Sequence, residues 1–308
     1  MLAAVGLLVL GGVLLYIGAE GATRGASSLA RALGVPAFVL GALLFGIDLE
    51  GLGTAVGASA SGESQLAAGS IFGTVLFLYS AAFGAALLLS KRPLPSPSTS
   101  MVLAPAIALF AAALAIADRY VDRLEGALLI ALYAGYVALV VREGRLVRAR
   151  SEELEREASA RSRLTIVAVT FGGLALLSAG AALAVTGATR FVAEAELSRG
   201  FVGAAILGIV VSLDEILLEV LPARRGDPEL ATGNLMGTLA AFCSGVLGIA
   251  AVVRPLDVDS AGSLAFLGSA FLYALVASVF LARGRAGWGV GLLVLAFYAL
   301  WLLTVAKL

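Results

Sequence analysis

The sequence predicts an all-α polytopic membrane protein of about ten transmembrane helices, arranged as two inverted five-helix repeats. Three observations carry the prediction. Hydrophobic residues make up 60% of the 308 and charged residues only 14%, against about 25% charged in a soluble domain. Mean hydropathy is +1.02, and apolar runs long enough to cross a hydrocarbon core as helices recur along the whole chain. Finally, segments of the first half reappear in the second in the same order.

Ten spans follow, at 1–19, 33–60, 66–90, 100–117, 124–141, 164–187, 198–222, 229–253, 261–282 and 287–306. The first holds no Lys or Arg, so it lacks the basic n-region of a secretory signal and reads as a retained span. The second and seventh are apolar stretches interrupted by carboxylates. Between spans five and six lies VREGRLVRARSEELEREASARSR, residues 141–163, the one long polar segment. Its Glu and Arg at helical spacings read as a solvated helix joining two halves, with an anionic-headgroup contact as the alternative. The domains are therefore 1–141, a charged linker 142–163, and 164–308. One cysteine, Cys243, and no histidine exclude an intrachain disulfide, a His/Cys zinc site and bis-histidine haem. No cofactor and no nucleic acid are expected; the partners are the lipid bilayer and inorganic cations.

Orientation follows from the basic residues. Fifteen fall on the side of Arg24, the linker, Arg224 and Arg283, and six on the side of Arg119, Arg190 and Arg254. The richer side is expected to be cytoplasmic, leaving both termini outside a plasma or inner membrane and the linker within.

Gly21-Ala22-Thr23-Arg24 recurs as Gly187-Ala188-Thr189-Arg190, and LAAGSIFGT (66–74) as LATGNLMGT (230–238). Five spans per half is odd, so the second copy enters from the opposite side. Inverted repeats of this kind place a substrate site at the repeat interface near the midplane. Small-residue runs such as GASASG (57–62) are expected to let helices pack closely or slide.

The candidate site is acidic. From Gly200 to Leu221 the only formal charges are Asp214, Glu215 and Glu219, and Asp48 and Glu50 sit in the counterpart segment of the first half. A charge at the bilayer centre costs at least about 2.5–3.5 kcal/mol, and such residues mark ion or proton paths. Asp48 and Glu50, two apart, would point about 200° apart on a regular helix. They can share one site only if the backbone unwinds, which Gly46, Gly51 and Gly53 favour. Glu215 and Glu219 share a face, although Glu219 also lies near Arg224 and the headgroups. A polar contact between helices is the bland reading for each carboxylate. With no mid-span Lys, Arg or His, however, they must be protonated or hold a cation.

At these residues the chain resembles the cation/calcium exchanger superfamily, the sodium/calcium exchanger-like antiporters, as a divergent member. That family's two inverted five-span halves each carry a repeat of the form G-T-S-L-P-E followed by G-N-x-x-G-S-N-x-x-N. Here Ser212-Leu213-Asp214-Glu215 stands for S-L-P-E, with Gly233-Asn234 and Gly237-Thr238 later, and Gly69-Ser70 and Gly73-Thr74 in the first half. Asp214 replaces the proline, and apolar Val75, Leu78, Leu239 and Phe242 replace the later asparagines. Gapless counting aligns Gly51 with the acidic position and Asp48 with the serine; a one-residue shift aligns Glu50 instead, and the sequence leaves both open. The resemblance implies a metal site of Asp48, Glu50, Asp214, Glu215, Ser212, Ser70, Thr74, Asn234 and Thr238. It also implies transport of a divalent cation, calcium first, against sodium or protons by alternating access. Desolvated paired carboxylates could equally trade a proton for a cation. Competing classes are a membrane enzyme holding Mg²⁺ against a lipid phosphate, a passive channel, and a carrier of neutral solutes.

Overall fold

The computed structural model describes residues 1–90, 93–95, 98–151, 163–195, 210, 212–258, 261–284 and 286–305. Its helices are α1 (Leu2–Leu33), α2 (Ala37–Leu40, continuing as a π turn Gly41–Phe45), α3 (Leu49–Ser61), α4 (Ser64–Leu89), α5 (Thr99–Ala115), α6 (Arg123–Ser151), α7 (Arg163–Glu194), α8 (Leu213–Arg225), α9 (Pro228–Val253), α10 (Ala261–Ala282) and α11 (Trp288–Val305). Six segments are long and apolar enough to cross a membrane, α2 and α3 counting as one, and three shorter apolar helices accompany them. The linker residues 152–162 and the first part of the seventh span, 198–209, lie outside the described residues.

Two expected boundaries move. The first span does not end at residue 19: α1 runs unbroken for 32 residues. Glu20, Arg24 and Arg31, which read as a loop, lie on the helix, and nothing breaks it before Gly34 (φ 65°) and Pro36. Its counterpart α7 also has 32 residues and runs on to Glu194. At 1.5 Å per residue each is about 48 Å long, more than a hydrocarbon core of about 30 Å, so each tilts or projects.

α1 and α7 pack backbone to backbone. A Cβ on Gly25 would meet Thr170 Cα at 2.7 Å, one on Gly18 Leu177 Cα at 2.8 Å, and one on Gly11 Ala184 Cα at 2.8 Å. As one number rises the other falls, so the two helices are antiparallel. Glycines spaced by seven on both helices, 11, 18 and 25 against 173, 180 and 187, make that approach possible. The run 57–62 packs closely too, but through Ser59 and Gly62 against the end of α9 rather than through a glycine-to-backbone crossing. Gly57 faces open space, while the Ser59 hydroxyl donates to Ala250 O at 2.6 Å and Arg254 O at 3.1 Å, pinning α3 to the end of α9.

α9 is the centre of the bundle, with every residue from Leu230 to Gly248 buried; a helix apolar all round belongs in such a place. Outer faces of α1, α5 and α11 leave Leu2, Phe110 and Leu303 exposed, as a lipid-facing surface requires. A short antiparallel ladder, β1 (Tyr120–Val121) with β2 (Leu256–Asp257), joins the α5–α6 and α9–α10 connections.

α3 and α8 have 13 residues each, start 164 positions apart, and end at left-handed Gly62 (φ 87°) and Gly226 (φ 92°). α4 and α9 start and end 164 apart as well. Both carry a π turn at matching places, Leu78–Ala82 and Ala241–Val246. There Ser80 and Ser244 donate to the carbonyl four residues back, each at 2.5 Å.

A carboxylate site at two helix starts

The chain between α2 and α3 leaves the helical path at Gly46–Asp48, and α3 begins afresh at Leu49. Asp48 is its N-cap: Oδ1 accepts Glu50 N–H and Oδ2 accepts Gly51 N–H, both at 2.9 Å. That satisfies two of the donors a helix start leaves open. Part of Asp48's acceptor capacity is thus used locally, while the break brings Asp48 and Glu50 to the same helix end despite their spacing of two.

The second half repeats the arrangement without proline. α8 starts at Leu213 with Ser212 in the N-cap position, its side chain making no capping bond, and Asp214 and Glu215 fill the first turn. The helix start expected from an S-L-P-E pattern therefore survives the Asp214 substitution.

The shared offset of 164 decides the register left open by the sequence. Asp48 corresponds to Ser212, Glu50 to Asp214, and Gly51 to Glu215. A side chain at Gly51 would force its neighbours to move: its Cβ would clash with Asp48 Oδ2 and lie 2.7 Å from Phe242 Cζ. Where the second half offers the Glu215 carboxylate, the first has a glycine packed on an aromatic ring.

Asp48, Glu50, Asp214 and Glu215 lie within electrostatic reach of one another, and Glu219 within reach of Glu215. Glu50 is exposed; Asp48, Asp214 and Glu215 are half-buried. Asp214 Oδ1, Glu215 Oε2 and Glu219 Oε2 are buried without a hydrogen-bond partner among the described residues. Among the described residues no three Asp, Glu, His or Cys side chains converge closely enough to hold a metal ion by themselves. Neutral oxygens would have to complete any shell, since a hard cation such as calcium takes six to eight. Of the expected neutral donors, Asn234 and Thr238 are buried on α9, one turn apart, and Ser70 and Thr74 are half-buried one turn apart on α4.

The sequence left Glu219 between the face it shares with Glu215 and a reach toward Arg224 or the headgroups. It turns neither to Arg224 nor outward: it has no exposed surface, and Asn234 Nδ2 donates to its Oε1 at 2.9 Å. Its spacing of four from Glu215 was the signal that could have put it in the site. The nearby cation Arg225 is engaged elsewhere, its Nη2 lying 2.5 Å from Glu20 Oε1, which also takes Arg24 Nη2 at 2.6 Å.

A bundle with lipid-facing apolar surfaces, two matched helix starts and a set of carboxylates left without cationic partners among the described residues defines a membrane transporter of cations. The chain belongs to the sodium/calcium exchanger protein family, whose model matches residues 3–142 and 165–307. It is thus an integral membrane protein and, by family, a cation antiporter. It is 26% identical to CaxA of Alkalimonas amylolytica, named as an antiporter, over 85% of both chains. It is also 26% identical to the inner membrane protein YrbG of Escherichia coli, over 98% of this chain and 96% of that one. Among solved structures, the sodium-calcium exchanger NCX_Mj soaked without Na⁺ and Ca²⁺ superposes with a TM-score of 0.84 at 22% identity, covering 97% of this chain and 98% of that one.

Proposed function

We propose that the chain is a secondary active antiporter exchanging a divalent cation, calcium first, for sodium or protons by alternating access. Its two five-helix repeats, 1–141 and 164–308, are inverted about the membrane plane, with both termini outside and 142–163 cytoplasmic. The equal offset of α3/α8 and α4/α9 and the antiparallel α1 and α7 support that topology. The observation that carries the functional reading is the gathering of Asp48, Glu50, Asp214 and Glu215 at two helix starts, without an ion pair among the described residues. In this reading Glu215 is the central ligand, Asp214, Glu50 and Asp48 supply further charge, and Ser212, Ser70, Thr74, Asn234 and Thr238 supply neutral oxygens.

The glycine at 51, which leaves the first half without a counterpart of Glu215, favours a second reading on the same scaffold, a proton or monovalent-cation exchanger. One experiment separates the two. Calcium uptake into proteoliposomes is measured under an imposed sodium gradient and, separately, a pH gradient, for the wild type and Glu215→Gln. Gradient-driven uptake lost in Glu215→Gln is the expected result and names the coupling ion. Silence under both gradients, with sodium–proton exchange in the same vesicles, would establish the second reading. Uptake unchanged in Glu215→Gln would remove Glu215 from the centre of the site.

A further inference from the structure

The π turns of α4 and α9 match in position but not in side chains. The offset of 164 that relates the two halves sets Tyr79 opposite Cys243 and Leu235 opposite Ile71. Tyr79 lies in the α4 π turn with no exposed surface, and its hydroxyl donates to Leu235 O on α9 at 2.7 Å. A carbonyl has two lone pairs, so Leu235 O can take the phenol without leaving the helix ladder. The twin of that bond would run from residue 243 to Ile71 O. Cys243 is buried as well, but a thiol is a weak donor, and its side chain is far shorter than a phenol. The pseudo-symmetric pair of helices is therefore bridged by a phenol at one of two equivalent places.

Leu235 follows Asn234, and Ile71 follows Ser70, so the bridge ends on the turn that carries Asn234 and its missing twin would have ended on the turn that carries Ser70. We infer that Tyr79 is a positioning residue: its hydroxyl ties the Asn234 turn of α9 to α4, while the Ser70 turn has no equivalent tie. The inference rests on the reading of Asn234 and Ser70 as cation ligands. A ligand already held in place leaves less ordering for the ion to impose, so it binds more tightly than the same group on a looser turn. The neutral phenol is a sufficient donor, and no charged state of any neighbour is required. Phenylalanine at 79 keeps the ring and its packing and removes the tie alone.

Asn234 is the only asparagine in the chain. Full-length protein in detergent, made with ¹⁵N-labelled asparagine, therefore gives one backbone amide and one side-chain NH₂ group in its NMR spectrum. The tie predicts a single sharp set of these signals in the ion-free wild type, and a doubled or broadened set in Tyr79→Phe. Cys243→Ala, at the counterpart position, should leave the set single and sharp. Calcium binding to the same samples should weaken by about three- to ten-fold in Tyr79→Phe, the scale of one buried hydrogen bond. That loss should vanish on top of Asn234→Ala and persist in full on top of Ser70→Ala, a selectivity that a general loss of stability would not produce. Asn234 signals as sharp in Tyr79→Phe as in the wild type would overturn the inference, as would a calcium loss that adds to that of Asn234→Ala. A wild type that binds no calcium while its Asn234 signals double in Tyr79→Phe would sink the calcium reading and leave the tie standing.

Discussion

Gly237 should be irreplaceable for a reason that Gly53 does not share. A Cβ at Gly237 would lie 2.7 Å from Ala42 Cα and 2.9 Å from Ala42 C, and would also meet Ala42 O. Ordinary carbon contacts sit at about 3.5–4.0 Å, so α2 and α9 would have to separate by about 1 Å. All three atoms are backbone, and no rotamer change can relieve the overlap. Overpacking of this kind costs about 1–3 kcal/mol, while replacing a mid-helix glycine with alanine returns about 1 kcal/mol of helix propensity. Gly237→Ala should therefore be neutral to about 2 kcal/mol less stable. Gly53→Ala, with nothing within 4 Å of its Cβ, should show the propensity gain alone. The larger consequence is functional: α2 leads directly into Asp48, so moving α2 off α9 moves the first-half carboxylates away from Asp214 and Glu215. The assay is thermal unfolding of both variants in detergent, paired with cation transport in proteoliposomes. A Gly237→Ala protein as stable and as active as Gly53→Ala would refute the argument that this close approach positions the site.

Asp48→Ala should destabilise the protein by about 1 kcal/mol through loss of the N-cap, and Asp48→Asn by less, because its one amide oxygen keeps one of the two accepted N–H groups while its NH₂ group cannot accept the other; a transport defect in Asp48→Asn deeper than that in Asp48→Ala would argue against a role for its charge. Gly51→Ala should lower thermal stability, and adding Phe242→Ala should restore part of the loss by removing the ring the new methyl strikes; a double variant worse than either single one would argue against that contact. Glu20→Gln should cost no more than about 1 kcal/mol, because the pairs with Arg24 and Arg225 are partly exposed. The difference between wild type and Glu20→Gln in thermal unfolding should shrink further in high salt.

The membrane class and the approximate place of most described helices were legible because hydrophobic run length reports them directly. The break at Gly46–Asp48 was legible too, since two carboxylates two residues apart cannot share a site on an intact helix. Helix ends were less so: Glu20, Arg24 and Arg31 look like loop residues by polarity, yet the helix continues until Gly34 and Pro36 stop it. The glycine heptads of α1 and α7 stood in the sequence, but only the crossing of the two backbones distinguishes them from the small residues of 57–62. The register of Asp48 and Glu50 was illegible, because the motif is too degenerate to count from; it needed the two helix caps. Glu219 was left open because Arg224 is five residues away in sequence and its actual partner, Asn234, fifteen.

That register makes the site lopsided. Glu215 has no counterpart in the first half, where Gly51 and the Phe242 ring occupy the place, and the charge moves to Glu50 and the capping Asp48. Two formal charges nonetheless stand in each helix start, Asp48 and Glu50 against Asp214 and Glu215, so the total is kept while its distribution changes. Asp48 is the most constrained of the four, with both oxygens accepting backbone N–H groups. Glu50 is the least, lying exposed in the first turn. Cation binding should consequently depend steeply on Glu215, whose buried oxygen has no partner to give up, and shallowly on Glu50, whose loss water can offset. A conservative amide at each of the four positions ranks them in one series, and a Glu50→Gln defect as deep as that of Glu215→Gln would contradict the lopsided site.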